Sequence, residues 1–118
     1  MINLSGTVRR FGADYTLRRP GLTSYVDGFP VVGADAESTI RAVITPATER
    51  DMQRLPEGDR AGEHVKVISA EEVRTTDVQA GRGPDVVEYR SLDWEIISVD
   101  TYDTHGLFWD ALARRVGQ

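Results

Sequence analysis

The chain has 118 residues, 40% of them apolar, no cysteine, and a net charge of −5. That length and apolar share point to one domain with a core of its own, here residues 1–118, and exclude a disordered chain. Disulfides and cysteine-based zinc or iron–sulfur sites are excluded outright.

The charge is uneven. Residues 1–60 hold eight basic and eight acidic side chains, whereas residues 61–118 hold six and eleven. No basic face of the kind that nucleic-acid binders carry is evident. The doublets Arg9-Arg10, Arg18-Arg19 and Arg114-Arg115 read as solvated surface. Met1 to Phe11 lacks the apolar run of a signal peptide, and no stretch reaches the apolar length of a membrane span. The expectation is a soluble protein made in the cytoplasm, with no membrane partner.

Residues 1–12 are weakly patterned and read as a mobile arm. Asp14 to Arg18 alternates as a short strand, stopped by Pro20-Gly21. In "TSYVDGFPVV", Asp27-Gly28 is a strong hairpin signal, because a type I′ turn needs φ > 0 at both central positions. Pro30 has no amide proton, so the second arm belongs at an edge. Gly33 to Ser38 reads as a loop. Thr39 to Thr45 is a strand with Ile40, Ala42 and Ile44 on one face.

A charged excursion follows, "TPATERDMQRLPEGDRAG", residues 45–62. Thr48 and Asp51 have the spacing of a capping box. Glu49 and Asp51 in the first turn and Arg54 in the last suit the helix dipole, and Pro56 ends the run. One or two helical turns are expected, followed by a flexible charged loop over residues 57–62. An excursion of this size is either functional or disordered.

His64 to Ser69 is the next strand, and Glu71 to Gly83 a long polar connection. Asp85 to Arg90 and Trp94 to Val99 form the strongest hairpin, with a tight turn expected at Ser91 to Asp93. In its second arm Trp94 and Ile96 share one face, Ile97 and Val99 the other. The last segment, Leu107 to Arg115, fits both a helix and a strand and leans slightly to helix by propensity. The sum is a mainly β protein: a small antiparallel barrel or sandwich of six to seven short strands, with one short helix and long loops.

Residues with catalytic chemistry are sparse. His64 reads as a surface imidazole. His105 stands near Asp100 and Asp103, a set that could bind a metal or act in acid–base catalysis, but the run looks like a turn rich in Asp and Thr. Gly81 to Asp85 lacks the lysine and serine of a phosphate-binding loop. No nucleophile motif is present. The reading is a protein with no catalytic residues, cofactor or metal.

Three stretches carry a family resemblance. They are "YTLRRPGLTSYVDGFPVVGA" with its Arg19-Pro20 and Tyr25 to Gly28 hairpin; "ITPATERDMQRLPEGDRAGEHVKVIS" with its core from Pro46 to Gly58; and Tyr89-Arg90 paired with Trp94, Ile96 and Val99. Together, from about Asp14 to Arg115, they resemble the head–tail joining proteins of tailed bacteriophages, also called head-completion, stopper or neck proteins, many of them prophage-encoded. Asp110, Arg114 and Trp94 depart from residues common in that family.

The resemblance implies a small antiparallel barrel that acts in the virion neck after assembly in the host cytoplasm. The ring would sit beneath the portal and its adaptor, dock a tail, and help to close the DNA channel without binding DNA tightly. It implies a monomer in isolation that self-associates in the virion. It also implies that the last segment is a strand. The channel-loop candidates that it points to are Glu49, Arg50, Asp51, Arg54, Glu57, Asp59 and Arg60. The alternative is a small β-barrel module that binds nucleic acid or a bacterial protein.

Overall fold

The computed structural model describes residues 4–79, 81–102 and 107–117. A first helix, α1 (Leu4–Phe11), precedes β1 (Ala13–Arg19), β2 (Thr23–Val26), β3 (Phe29–Val32) and β4 (Ala36–Pro46). A second helix, α2 (Glu49–Met52), and a 3₁₀ turn (Glu57–Asp59) lead to β5 (His64–Ser69), β6 (Val86–Tyr89), β7 (Leu92–Tyr102) and β8 (Phe108–Arg115). Six strands close into a barrel in the order β1-β4-β5-β8-β7-β6, and β2 and β3 form a separate two-stranded sheet. The β1–β6 pairing, Leu17 opposite Val87, closes the ring.

Alternation fills the barrel. Leu17, Ile40, Ala42, Val67, Val87, Ile96, Ala111 and Ala113 are buried in one cluster with Trp94. Each large aliphatic side chain so placed contributes about 1.5–3 kcal/mol. Small residues on β8 make room for large ones on β7: Ala113 lies opposite Ile96, and Ala111 opposite Val99. That matching of small to large suits the narrow interior of a small barrel. At one end Tyr15, Tyr89 and Trp94 stack edge to face, with centroids 5.8 and 6.2 Å apart, and the Trp94 indole donates to the Tyr89 carbonyl.

Several expectations change. Residues 4–11 are helical rather than part of a mobile arm. Val8 is buried. The Arg41 guanidinium donates to the Arg9 carbonyl at 2.8 Å, and Arg9 meets Glu71 at 2.9 Å. A Cβ on Gly12 would lie 2.5 Å from the Val8 carbonyl oxygen and 2.7 Å from that of Ala42, so only glycine lets α1 approach β4 this closely.

β4 begins at Ala36, inside the expected loop, because β1 pairs with it as far as Arg19 opposite Ala36. The β6–β7 turn sits at Arg90 and Ser91, with φ 54° and 61°, not at Ser91 to Asp93. A bulge between Ile96 and Ser98 then resets the facing, so that both Ile96 and Val99 reach the core. The last segment is a strand, its local helical leaning overridden by pairing with both β5 and β7. The expected Asp27-Gly28 turn is present, with φ 52° and 81°.

Candidate functional site

The charged excursion is ordered from its first residues. The Thr48 hydroxyl accepts from the Asp51 amide at 3.2 Å, and the Asp51 carboxylate accepts from the Thr48 amide at 3.0 Å. This is the capping box expected from the spacing. It holds the Asp51 carboxyl below its ordinary range, chiefly through the Thr48 amide and further through nearby Lys66, against the opposing effect of burial. Beyond Pro56, residues 57–59 turn as a 3₁₀ helix, and Arg60 Nε donates to the Leu55 carbonyl at 3.0 Å. His64 is buried, not a surface imidazole. Its Nε2 lies 2.8 Å from the Asp59 carbonyl and its Nδ1 3.1 Å from that of Gly62. The expected flexible loop is therefore a folded turn gripped by one imidazole.

The excursion lies against the outer barrel wall. Arg54 reaches Asp100 of β7 at 2.7 Å and Asp110 of β8 at 3.3 Å. Lys66 of β5 lies 3.5 Å from Asp51 and 3.8 Å from Asp110. Leu112, two residues beyond Asp110 and paired with Lys66, points outward by strand alternation yet is fully buried. Leu55 is buried as well, at 3% exposure. The segment is thus held by four ion pairs shared among five charged side chains and by apolar cover. Of the seven candidates, Asp51 and Arg54 turn to the barrel. Glu49, Arg50, Glu57 and Arg60 are exposed, and Asp59 is half-buried.

Other charged groups are structural. Arg19 is not merely solvated. Its Nε and Nη2 donate to the two oxygens of Asp85 at 3.1 and 3.0 Å, and the Arg74 amide donates to the same carboxylate at 2.8 Å. Asp85 is fully buried, and the hydrogen bond from Arg19 raises that guanidinium's pKa further. Nothing in the linear pattern around "GRGPD" marks this burial. Arg18 pairs with Asp93, Arg114 with Glu95 and Arg115 with Glu63. Asp100 belongs to the Arg54 set, while Asp103 and His105 lie outside the described residues. Among the described residues no group of three or more His, Asp and Glu side chains converges as metal ligands would, and no helix is long and apolar enough to cross a membrane.

A second feature was not singled out by sequence reasoning. The β2–β3 hairpin exposes Tyr25, Val26, Phe29 and Val31. The signal was present: apolar residues alternating on both arms of a hairpin leave each face partly apolar, and only one face of a sheet can meet a core.

Comparison with known proteins yields no matching family model and no matching curated relative.

Proposed function

We propose that the chain is a structural protein of the tailed-phage neck, joining the portal and adaptor to the tail and helping to close the DNA channel after packaging. The resemblance of the three sequence stretches motivates this reading. One structural observation supports it: the central excursion is docked on the barrel by contacts that a neighbouring subunit can outcompete.

The magnitudes decide the point. Its ion pairs are part-exposed, each worth about 0.2–1 kcal/mol. Leu55 and Leu112 each add about 1.5–3 kcal/mol for their burial. Undocking therefore costs several kcal/mol, less than unfolding the barrel with its larger buried cluster and within what a protein contact supplies through differential affinity. Glu49, Arg50 and Glu57 face solvent and are free to read an incoming partner. The net charge of −5 also suits a ring through which DNA passes, since Lys and Arg contacts to phosphate would hold the strand by counterion release.

The test is completion of DNA-filled heads by the purified protein and by the triple variant Glu49→Gln, Arg50→Gln, Glu57→Gln. The variant is expected to melt as the wild type does and to fail in assembly. A variant that completes heads as well as the wild type, or a wild type that does not bind portal–adaptor rings, would overturn the reading. Salt-sensitive binding of DNA by the free chain would instead favour a nucleic-acid module.

A further inference from the structure

We infer that copies of this chain join head to tail, with the β2–β3 hairpin of one copy seated in the apolar groove between α1 and the outer barrel wall of the next. The closure of such contacts into a ring rests on the neck reading above; the contact itself stands on this chain alone.

The hairpin stands outside the barrel sheet. Val26 pairs with Phe29 and Ser24 with Val31, while Tyr25 pairs with Pro30. Cross-strand partners share a face, so Val26, Phe29 and Val31 form one apolar face, with Tyr25 and Pro30 behind it. Phe29 is 71% exposed and Tyr25 74%. A lone two-stranded hairpin is marginal in water, and a contiguous apolar patch of this kind marks an interaction surface. The residues flanking the two-residue turn form a hydrogen-bonded pair, which puts Pro30 at a non-bonded position. Its missing N–H therefore faces the open edge of β3 and blunts that edge against strand addition. Contact through the side chains of the hairpin face is what remains.

The groove has a volume of about 370 Å³ and is lined by Val8 and Phe11 of α1, Val43 of β4, Ile68 of β5, and Phe108 and Asp110 of β8, the Asp110 carboxylate being already paired with Arg54 and Lys66. Phe11 is 71% exposed, and Phe108 is stacked on Tyr102 with centroids 5.1 Å apart, which presents a preformed aromatic wall. Charge selects the occupant. The Arg10 guanidinium sits 5.3 Å from the centre of the ring of Phe11, one of the groove's lining side chains, with no ion pair to any described residue. Asp27, at the hairpin tip, likewise has none. The apolar face with an unpaired carboxylate and the apolar groove with an unpaired guanidinium are complementary, and both belong to this chain. A second copy is the occupant that satisfies both at once. The two surfaces differ, so the contact is heterologous and propagates into a ring or an open filament rather than a closed pair.

The test is photo-cross-linking of the full chain carrying Phe29→p-benzoylphenylalanine, at increasing protein concentration, with peptide mapping of the dimer. Cross-links are expected at residues 8–11, Val43, Ile68 or Phe108. Arg10→Asp and Asp27→Lys should each lower the yield about two- to fivefold, in keeping with an exposed ion pair, and the double variant should recover it. Thermal melting of each variant checks that the barrel is intact. Hairpin-to-hairpin cross-links, no dimer at the highest concentration, or a yield indifferent to the charge reversals would overturn the inference. No other virion protein is present, so failure of the neck reading leaves this result unchanged. A chain that enters portal–adaptor rings without the cross-link overturns the contact and leaves the neck reading standing.

Discussion

Replacing Asp85 with Ala should cost about 3 kcal/mol of stability. Its carboxylate is fully buried and accepts from Arg19 twice and from the Arg74 amide once. Removing one partner of a buried ion pair costs about 3–5 kcal/mol, and a buried amide left without its acceptor contributes about 1–3 kcal/mol of that kind of penalty. The Arg19 side chain is 30% exposed, so its freed charge recovers part of its hydration, and the lower end of the range applies. For a domain of this size the melting temperature should fall by about 10–15 °C. Arg18→Ala is the internal control, because Arg18 and Asp93 are 40% and 44% exposed and such pairs contribute about 0–1 kcal/mol. Thermal and urea denaturation with an unchanged m-value would measure both. If the two variants melt within a few degrees of each other, the Asp85 cluster is not the tie between β1 and the 71–85 connection that its geometry implies.

Other substitutions separate the core from its attachments. Trp94→Ala should destabilise the barrel by about 3–5 kcal/mol, because Trp94 is 4% exposed; a near-normal urea midpoint would contradict its place in the core. Gly28→Val should loosen the hairpin by about 1–2 kcal/mol, given its φ of 81°, and should raise amide exchange in residues 24–31 without lowering the barrel's melting temperature. The folded pKa of Asp51 is depressed, so its stabilisation is present above the unfolded value of ~3.9 and is lost as pH falls through the folded value. The melting-temperature gap between wild type and Asp51→Asn should be open at pH 6 and close below about pH 4; a gap independent of pH would mean that the charge of Asp51 is not involved.

Much of the barrel was legible in the chain because its strands alternate cleanly. His64 to Ser69 and the Ile40–Ala42–Ile44 face announce themselves by period, and Asp27-Gly28 by the backbone that its turn requires. What was not legible depends on tertiary contact. The helix at residues 4–11 has a glycine inside it, and among its described side chains one buried apolar residue, Val8. Gly12 and the reach of Arg41 over the Arg9 carbonyl seat it on β4. The turn at Arg90 and Ser91 uses two residues at positive φ without glycine, which no local preference foretells. The bulge after Ile96 separates Ile97 from Val99 and turns Val99 to the core, and only the paired strand reveals it.

The candidate site divides in the same way. The Thr48–Asp51 cap is local and readable. The docking of Arg54 on Asp100 and Asp110 joins residues 46 and 56 positions apart, and Asp110 is conspicuous in the sequence only as a charge on a strand. His64 reads as surface until its two carbonyl partners are seen. The hairpin's exposed face was readable as alternation, but its exposure follows from the closure of the barrel without β2 and β3.

Amide hydrogen exchange across residues 47–62, in the free protein and in the portal–adaptor assembly, tests the central claim most directly. In the free protein the amides of Met52 to Leu55 and Asp59 should be protected, but open at a free energy several kcal/mol below global unfolding. On assembly their exchange should change while the barrel strands keep their protection. Exchange of these amides only through global unfolding, or a pattern unaltered by bound portal–adaptor rings, would contradict the excursion's role as a releasable assembly element.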